Sequence, residues 1–175
     1  MAICLNTKST YSIFQMLAQD TFFVDKSDII EKLSARINTP NRYICITKPR
    51  RFGKTSVLNM LGAYYCKAYD SRSLFDGLKI ARSAAYTAHL NKYNVVHLSM
   101  NSLPDNGKTY EDYMNLFKNA VRRDILEAYP KLKAQEFSNL SELFTATEDK
   151  FIFIIDEWDY IFSHELYPEH HGDFL

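Results

Sequence analysis

Apolar positions along this chain alternate between two periods. Three stretches run nearly unbroken: Tyr43-Ile-Cys-Ile-Thr47, Asn94-Val-Val-His-Leu-Ser-Met100 and Phe151-Ile-Phe-Ile-Ile155. They predict buried strands, and the last, with no polar break, reads as a strand covered on both faces. Between them the period is helical. Ile29, Ile30, Leu33 and Ile37 share one face of a predicted helix that opens at Asp28, with Glu31 three residues later in a capping-box-like arrangement. Asn38-Thr-Pro-Asn41 breaks it. A helix from Lys54 to about Ala68 would bury Val57, Leu58, Leu61, Tyr64 and Tyr65. The clearest helix runs from Tyr110 to Tyr129, with Tyr113, Leu116, Phe117, Ala120, Val121 and Ile125 on one face and Pro130 at its end.

Weaker signals predict helices at 11–18 and near 82–91, and a short one capped by Asn139 with Glu142. Thr21–Asp25 reads as extended, Leu74–Gly77 as a turn and Leu103–Lys108 as a loop. The order β-α-β-α-β argues for an α/β fold: a parallel sheet with right-handed crossovers and flanking helices.

The first strand leads into Lys48-Pro-Arg-Arg-Phe-Gly-Lys-Thr55. Gly53-Lys54-Thr55 is the core of the phosphate-binding pattern G-x-x-x-x-G-K-[ST]. Gly53 allows close backbone approach to an anion. Successive N–H groups and the helix N-terminus then face the phosphates. Lys54 supplies a charge to the β- and γ-phosphates, and Thr55 a hydroxyl to Mg²⁺. Lys48 replaces the pattern's first glycine, and Pro49 stiffens the start of the loop. A basic turn before a surface helix is the plainer reading of this stretch alone.

The third strand ends in Asp156-Glu157. An acid at the carboxyl end of a parallel strand stands where α/β sheets bind ligands. Asp156 would hold Mg²⁺ and Glu157 would orient or deprotonate the attacking water. A strand ending in a solvated acidic turn is the alternative. The two motifs together, in this order, favour binding of a nucleoside triphosphate.

Composition narrows the field. At 175 residues the chain is one domain by size. Its 21 basic and 21 acidic residues balance, so charge makes no case for nucleic acid or an anionic membrane. No apolar run approaches a membrane span, and the N-terminus does not read as a signal peptide. Cys4, Cys45 and Cys66 are widely spaced and read as reduced thiols of a cytoplasmic protein, with Cys45 in the core. His97 reads as a core or edge residue, and His170-His171 as a solvated end rather than a metal site. Arg122-Arg123, with Asp124 and Glu127 nearby, reads as a solvated face.

Four stretches together carry a family resemblance: Phe22-Phe-Val-Asp-Lys-Ser27, Ile46-Thr-Lys-Pro-Arg-Arg-Phe-Gly-Lys-Thr-Ser56, Leu74-Phe-Asp-Gly-Leu-Lys-Ile80 and Ile154-Ile-Asp-Glu-Trp-Asp159. They resemble the AAA-ATPase-like family, whose members usually end in a PD-(D/E)XK nuclease-like domain. The likeness runs over nearly the whole chain. It implies a P-loop NTPase core of the additional-strand, AAA-like class, with ATP and Mg²⁺ as ligands. Residues 1–41 would be an extension with a leading helix, and residues 42–175 a partial ATPase core.

The loop residues matched are Lys48, Pro49, Arg50, Arg51, Phe52, Gly53, Lys54, Thr55 and Ser56. Lys54 and Glu157 would be catalytic, and Thr55 and Asp156 would be the metal ligands. Arg50 and Arg51 match the family's loop, with contact to phosphate, adenine or a partner and simple solvation all open. Trp158 would pack in the core, and Asp159 would cap the next helix.

Relatives continue past the acidic motif with a sensor strand and then the nuclease-like half. The chain therefore reads as truncated after the acidic-motif strand. That loss would leave a slot between the loop strand and the acidic strand, and either marginal stability or direct pairing of those two strands. The missing nuclease-like half or other subunits would be partners, with no membrane and no direct nucleic-acid contact. The leading function is an ATP-binding core, weak or inactive in hydrolysis by itself. A vestigial, non-catalytic binding module and a P-loop phosphotransferase are the alternatives.

Overall fold

A computed structural model describes residues 4–47, 49, 51–101 and 109–174. The predicted loop at 103–108 lies outside the described residues. The chain divides into two compact units, residues 6–95 and residues 96–175 together with the N-terminal residues up to Leu5.

The first unit is helical. It comprises α1 (Lys8–Ala18), α2 (Asp28–Ser34), α3 (Lys54–Tyr65), α4 (Arg72–Phe75), a 3₁₀ turn at Lys79–Arg82 and α5 (Ala85–His89). Its centre is aromatic. Phe14 of α1 stacks on Phe75 at 5.0 Å, and Tyr64 meets the same Phe75 edge-on at 5.2 Å. The Tyr64 hydroxyl, deep in this cluster, donates to the Tyr86 carbonyl at 2.8 Å, which satisfies the polar tip of a buried ring. Every residue from Asn59 to Tyr65 is buried. The second half of α3 is thus wrapped on all sides, where its spacing predicts burial on one face.

Two sequence stretches far apart hold each other. The Asp25 carboxylate accepts from the Lys79 N–H at 2.7 Å and from the Ser27 N–H at 2.8 Å. The Ser27 hydroxyl accepts from the Ile80 N–H at 3.1 Å. This corrects the expected capping box at Asp28. Ser27 is the N-cap of α2, its side chain makes no cap bond, and its oxygen is committed to Ile80.

A larger correction concerns residues 42–47. They form no strand, and Tyr43 and Ile44 are exposed. Cys45 is exposed as well, not a core residue. A strand exists only where a neighbour supplies ladder partners, and the sheet does not include this segment. Direct pairing of this segment with the acidic strand, the alternative to marginal stability, is not part of the sheet among the described residues.

The second unit carries a two-stranded parallel sheet, β1 (Asn94–Ser99) beside β2 (Phe151–Asp156), with the unit boundary inside β1. Just past β1, the Met100 N–H donates to the Asp156 carbonyl at 3.1 Å. Leu5 forms an antiparallel bridge to Val96. Helices α6 (Tyr110–Ala128) and α7 (Leu140–Ala146) flank the sheet, followed by α8 (Tyr160–Ser163) and α9 (His171–Phe174). Thr109 and Asp112 form a full capping box that starts α6, and Asn139 accepts from the Glu142 N–H at 3.0 Å to start α7.

Val96, Leu98, Val121, Ile125 and Leu143 form the centre of this unit's core. A second cluster gathers Met100, Tyr113 and Ile161. Strand β2 is covered on one face only. Ile154 and Asp156 are buried, while Phe153 is 50% and Ile155 44% exposed, against the expected double burial. The whole is α/β, with a small parallel sheet and flanking helices.

Candidate functional site

Gly53 has φ +77°, in the left-handed region open to glycine and strained for other residues. It is the N-cap of α3, and no side chain caps that helix. Glycine has no side chain to cap the helix, and the first N–H groups of α3 lie at the positive end of the helix dipole. Lys54 and Ser56 are half-buried and Thr55 is exposed. Behind them, the Asn59 side-chain amide donates to the Thr55 carbonyl at 2.8 Å and fixes the turn. Phe52, 62% exposed, donates its N–H to the Pro49 carbonyl at 3.4 Å. Arg51 also has positive φ, +67°. Two left-handed residues around Phe52 bend the chain sharply before the helix. Lys48 and Arg50 lie outside the described residues.

Sequence reasoning assigned no site role to Phe22–Lys26, which lies against this turn. The Lys26 ammonium is 3.5 Å from the Phe52 carbonyl oxygen. A Cβ added to Gly53 would lie 3.4 Å from the same nitrogen. A cleft of about 310 Å³ opens here, lined by Leu17, Phe22, Phe23 and Val24 on one side and Gly53, Ser56 and Met60 on the other. The signal available beforehand was the Val-Asp-Lys signature itself: a short apolar run ending in a charged pair, with no helix or strand period to explain it.

The acidic motif belongs to the other unit. Asp156 ends β2 and is buried, 7% exposed. Its carboxylate accepts from the Glu157 N–H at 3.0 Å. Glu157 has φ +52°, in the left-handed region that Glu148 and Glu165 also occupy. Glu157 is half-buried and leads into the turn before α8.

His97 of β1 is close enough to feel the Asp156 charge. Burial pushes the imidazole pKa down and the carboxylate pulls it partly back, with a net lowering. Its Nε2 is buried without a hydrogen-bond partner among the described residues. The expected core role of Trp158 is not what the structure shows. It is 38% exposed and meets Phe162 edge-on at 6.1 Å. Asp159 is the N-cap of α8 but makes no side-chain cap bond. His170 is not merely solvated, since its ring stacks on Tyr110 at 4.6 Å.

Among the described residues no group of three or more His, Cys, Asp or Glu is arranged to hold a metal ion. No helix among the described residues is long and apolar enough to cross a membrane.

A family model described as predicted AAA-ATPase matches residues 10–171. The chain belongs to this AAA-ATPase-like family. Membership suggests nucleotide binding. No curated protein and no solved structure matches the chain.

Proposed function

We propose that the chain is a P-loop ATP-binding core, of the additional-strand class, that holds Mg-ATP. The observation that carries this reading is the left-handed Gly53 at the start of α3, followed by Lys54 and Thr55. The turn offers backbone N–H groups, a cation and a hydroxyl to one anion, in a chain of a family described as predicted AAA-ATPases. Lys54 binds the β- and γ-phosphates. Thr55 and Asp156 would hold the magnesium, which when bound neutralises charge on the phosphates.

Glu157 accepts the proton of the attacking water or orients it. Its place directly after Asp156 at the end of β2, with its N–H donating to the Asp156 carboxylate, supports that role. Hydrolysis by this chain alone is weak, because binding needs only the Gly53–Ser56 turn while turnover needs the acidic pair held on the same nucleotide.

Isothermal titration with Mg-ATP, paired with a phosphate-release assay, tests the reading. The wild-type chain binds, Glu157→Gln binds as well, and any release seen with the wild type is lost in the variant. A wild-type chain that binds no ATP overturns the proposal. Release that persists in Glu157→Gln moves water activation to another group.

A further inference from the structure

The cleft beside Gly53 has walls unlike a phosphate site. Phe22 is 90% and Val24 68% exposed, so apolar surface faces solvent within one short segment. Phe22 has no aromatic partner among the described residues. Phe23 does: it meets Phe14 edge-on at 6.1 Å and is anchored to the core. The segment is also built to stay in place. The Phe22 N–H donates to the Asp20 carboxylate at 2.7 Å, and Asp25 ties the far end to Ser27 and Lys79. A rigid, exposed apolar wall without a covering element is costly in water unless a ligand covers it.

We infer that this cleft is the subsite for the purine base of the nucleotide, with Phe22 as the stacking surface. The inference rests on the nucleotide-binding reading above. Contiguity is the argument for this occupant. Gly53 and Ser56 of the proposed phosphate turn are themselves part of the lining, and Lys26 lies between the two regions. A ligand with its anion on the α3 N-terminus therefore has its uncharged end beside the Phe22–Val24 wall. A base offers a flat π-face to Phe22. Asp20 in the lining offers a carboxylate, the acceptor that an exocyclic amino group of a purine requires. The volume, about 310 Å³, is at the small end of ligand pockets and suits a base rather than a whole nucleotide.

The experiment compares Mg-ATP with inorganic tripolyphosphate on the full chain and on Phe22→Ala. Phe22 is almost fully exposed, so its truncation leaves folding intact. Removing one stacking ring weakens ATP binding about tenfold and leaves tripolyphosphate binding unchanged. In a Trp158→Phe background, Phe22→Trp gives a second readout: its emission changes with ATP and not with tripolyphosphate. ATP binding that survives unchanged in Phe22→Ala, or a Phe22→Trp signal blind to ATP, overturns the base subsite and leaves the nucleotide reading standing. Equal loss of both ligands in Phe22→Ala also overturns it, since the ring would then act on the phosphate turn. A wild-type chain that binds neither ligand overturns both readings.

Discussion

The Lys26 ammonium lies 3.5 Å from the carbonyl oxygen of Phe52, one residue before the glycine that starts α3. A cation held there adds positive charge to a turn that already presents helix N–H groups. Lys26 is exposed, so its contribution is screened. Lys26→Ala should weaken Mg-ATP binding by roughly three- to fivefold, under about 1 kcal/mol. The loss should shrink as salt rises, which titrations at two ionic strengths would show. Unchanged affinity at low salt would remove Lys26 from the site.

Gly62 faces Thr10 where α3 meets α1. A Cβ placed on Gly62 would sit 2.9 Å from both the Cβ and the Cγ2 of Thr10, closer than real side chains approach. Alanine normally favours a helix interior by up to ~1 kcal/mol over glycine. Here the clash should reverse the sign, and Gly62→Ala should destabilise by about 1–3 kcal/mol in urea unfolding. Adding Thr10→Ala should recover part of that loss. A stabilised Gly62→Ala would mean that the two helices separate easily.

The cysteines should differ in reactivity. Cys4 and Cys66 are buried, and Cys45 is exposed. Burial, with the Asp124 charge, pushes the Cys4 thiol up to about 11 although Arg123 opposes it. Burial also raises the Cys66 thiol. Thiolate is the reactive form. A chromogenic disulfide reagent at neutral pH should label one thiol quickly in the native chain and the other two only on unfolding. Slow labelling of Cys45 would put residues 43–47 back into a buried strand.

Stability should fall as the solution is acidified from neutral. Burial places the folded-state pKa of His97 below its unfolded value of about 6.5. The unfolded chain then takes up the proton first. The stability this histidine contributes is complete above pH about 6.5 and is lost as pH falls through the folded value. His89 is shifted in the same direction by burial. Urea unfolding of wild type and His97→Phe, compared between pH 7.5 and pH 5.5, should show a smaller decline in the variant. Equal declines would mean that His97 is accessible to protons in the folded state.

What was legible in the sequence was what local chemistry decides. The α6 helix ends where its period and Pro130 end it, and Asn139 caps α7. The family signatures at 22–27 and 74–80 are joined in the structure through Asp25 with Lys79 and Ser27 with Ile80. What was not legible depends on partners. Tyr43–Thr47 has the composition of a strand, but composition supplies no neighbouring ladder. Phe151–Ile155 has no polar break, yet only one face of β2 is covered, and an unbroken run does not say which face. Ser27 stands at the N-cap of α2 without capping it, because its oxygen accepts from the N–H of a residue 53 positions away. Of the candidate site, Gly53 and Asp156 stand where the motifs predict, at a left-handed helix start and a buried strand end.

The central claim is that the Gly53–Ser56 turn binds the phosphates of ATP, and a fluorescent-ATP titration with Mg²⁺ on the wild-type chain and Lys54→Ala tests it most directly. The account predicts saturable binding by the wild type and a loss of at least tenfold in the variant, about 1.4 kcal/mol or more. Equal binding by the two chains, or none by a folded wild type, would contradict it.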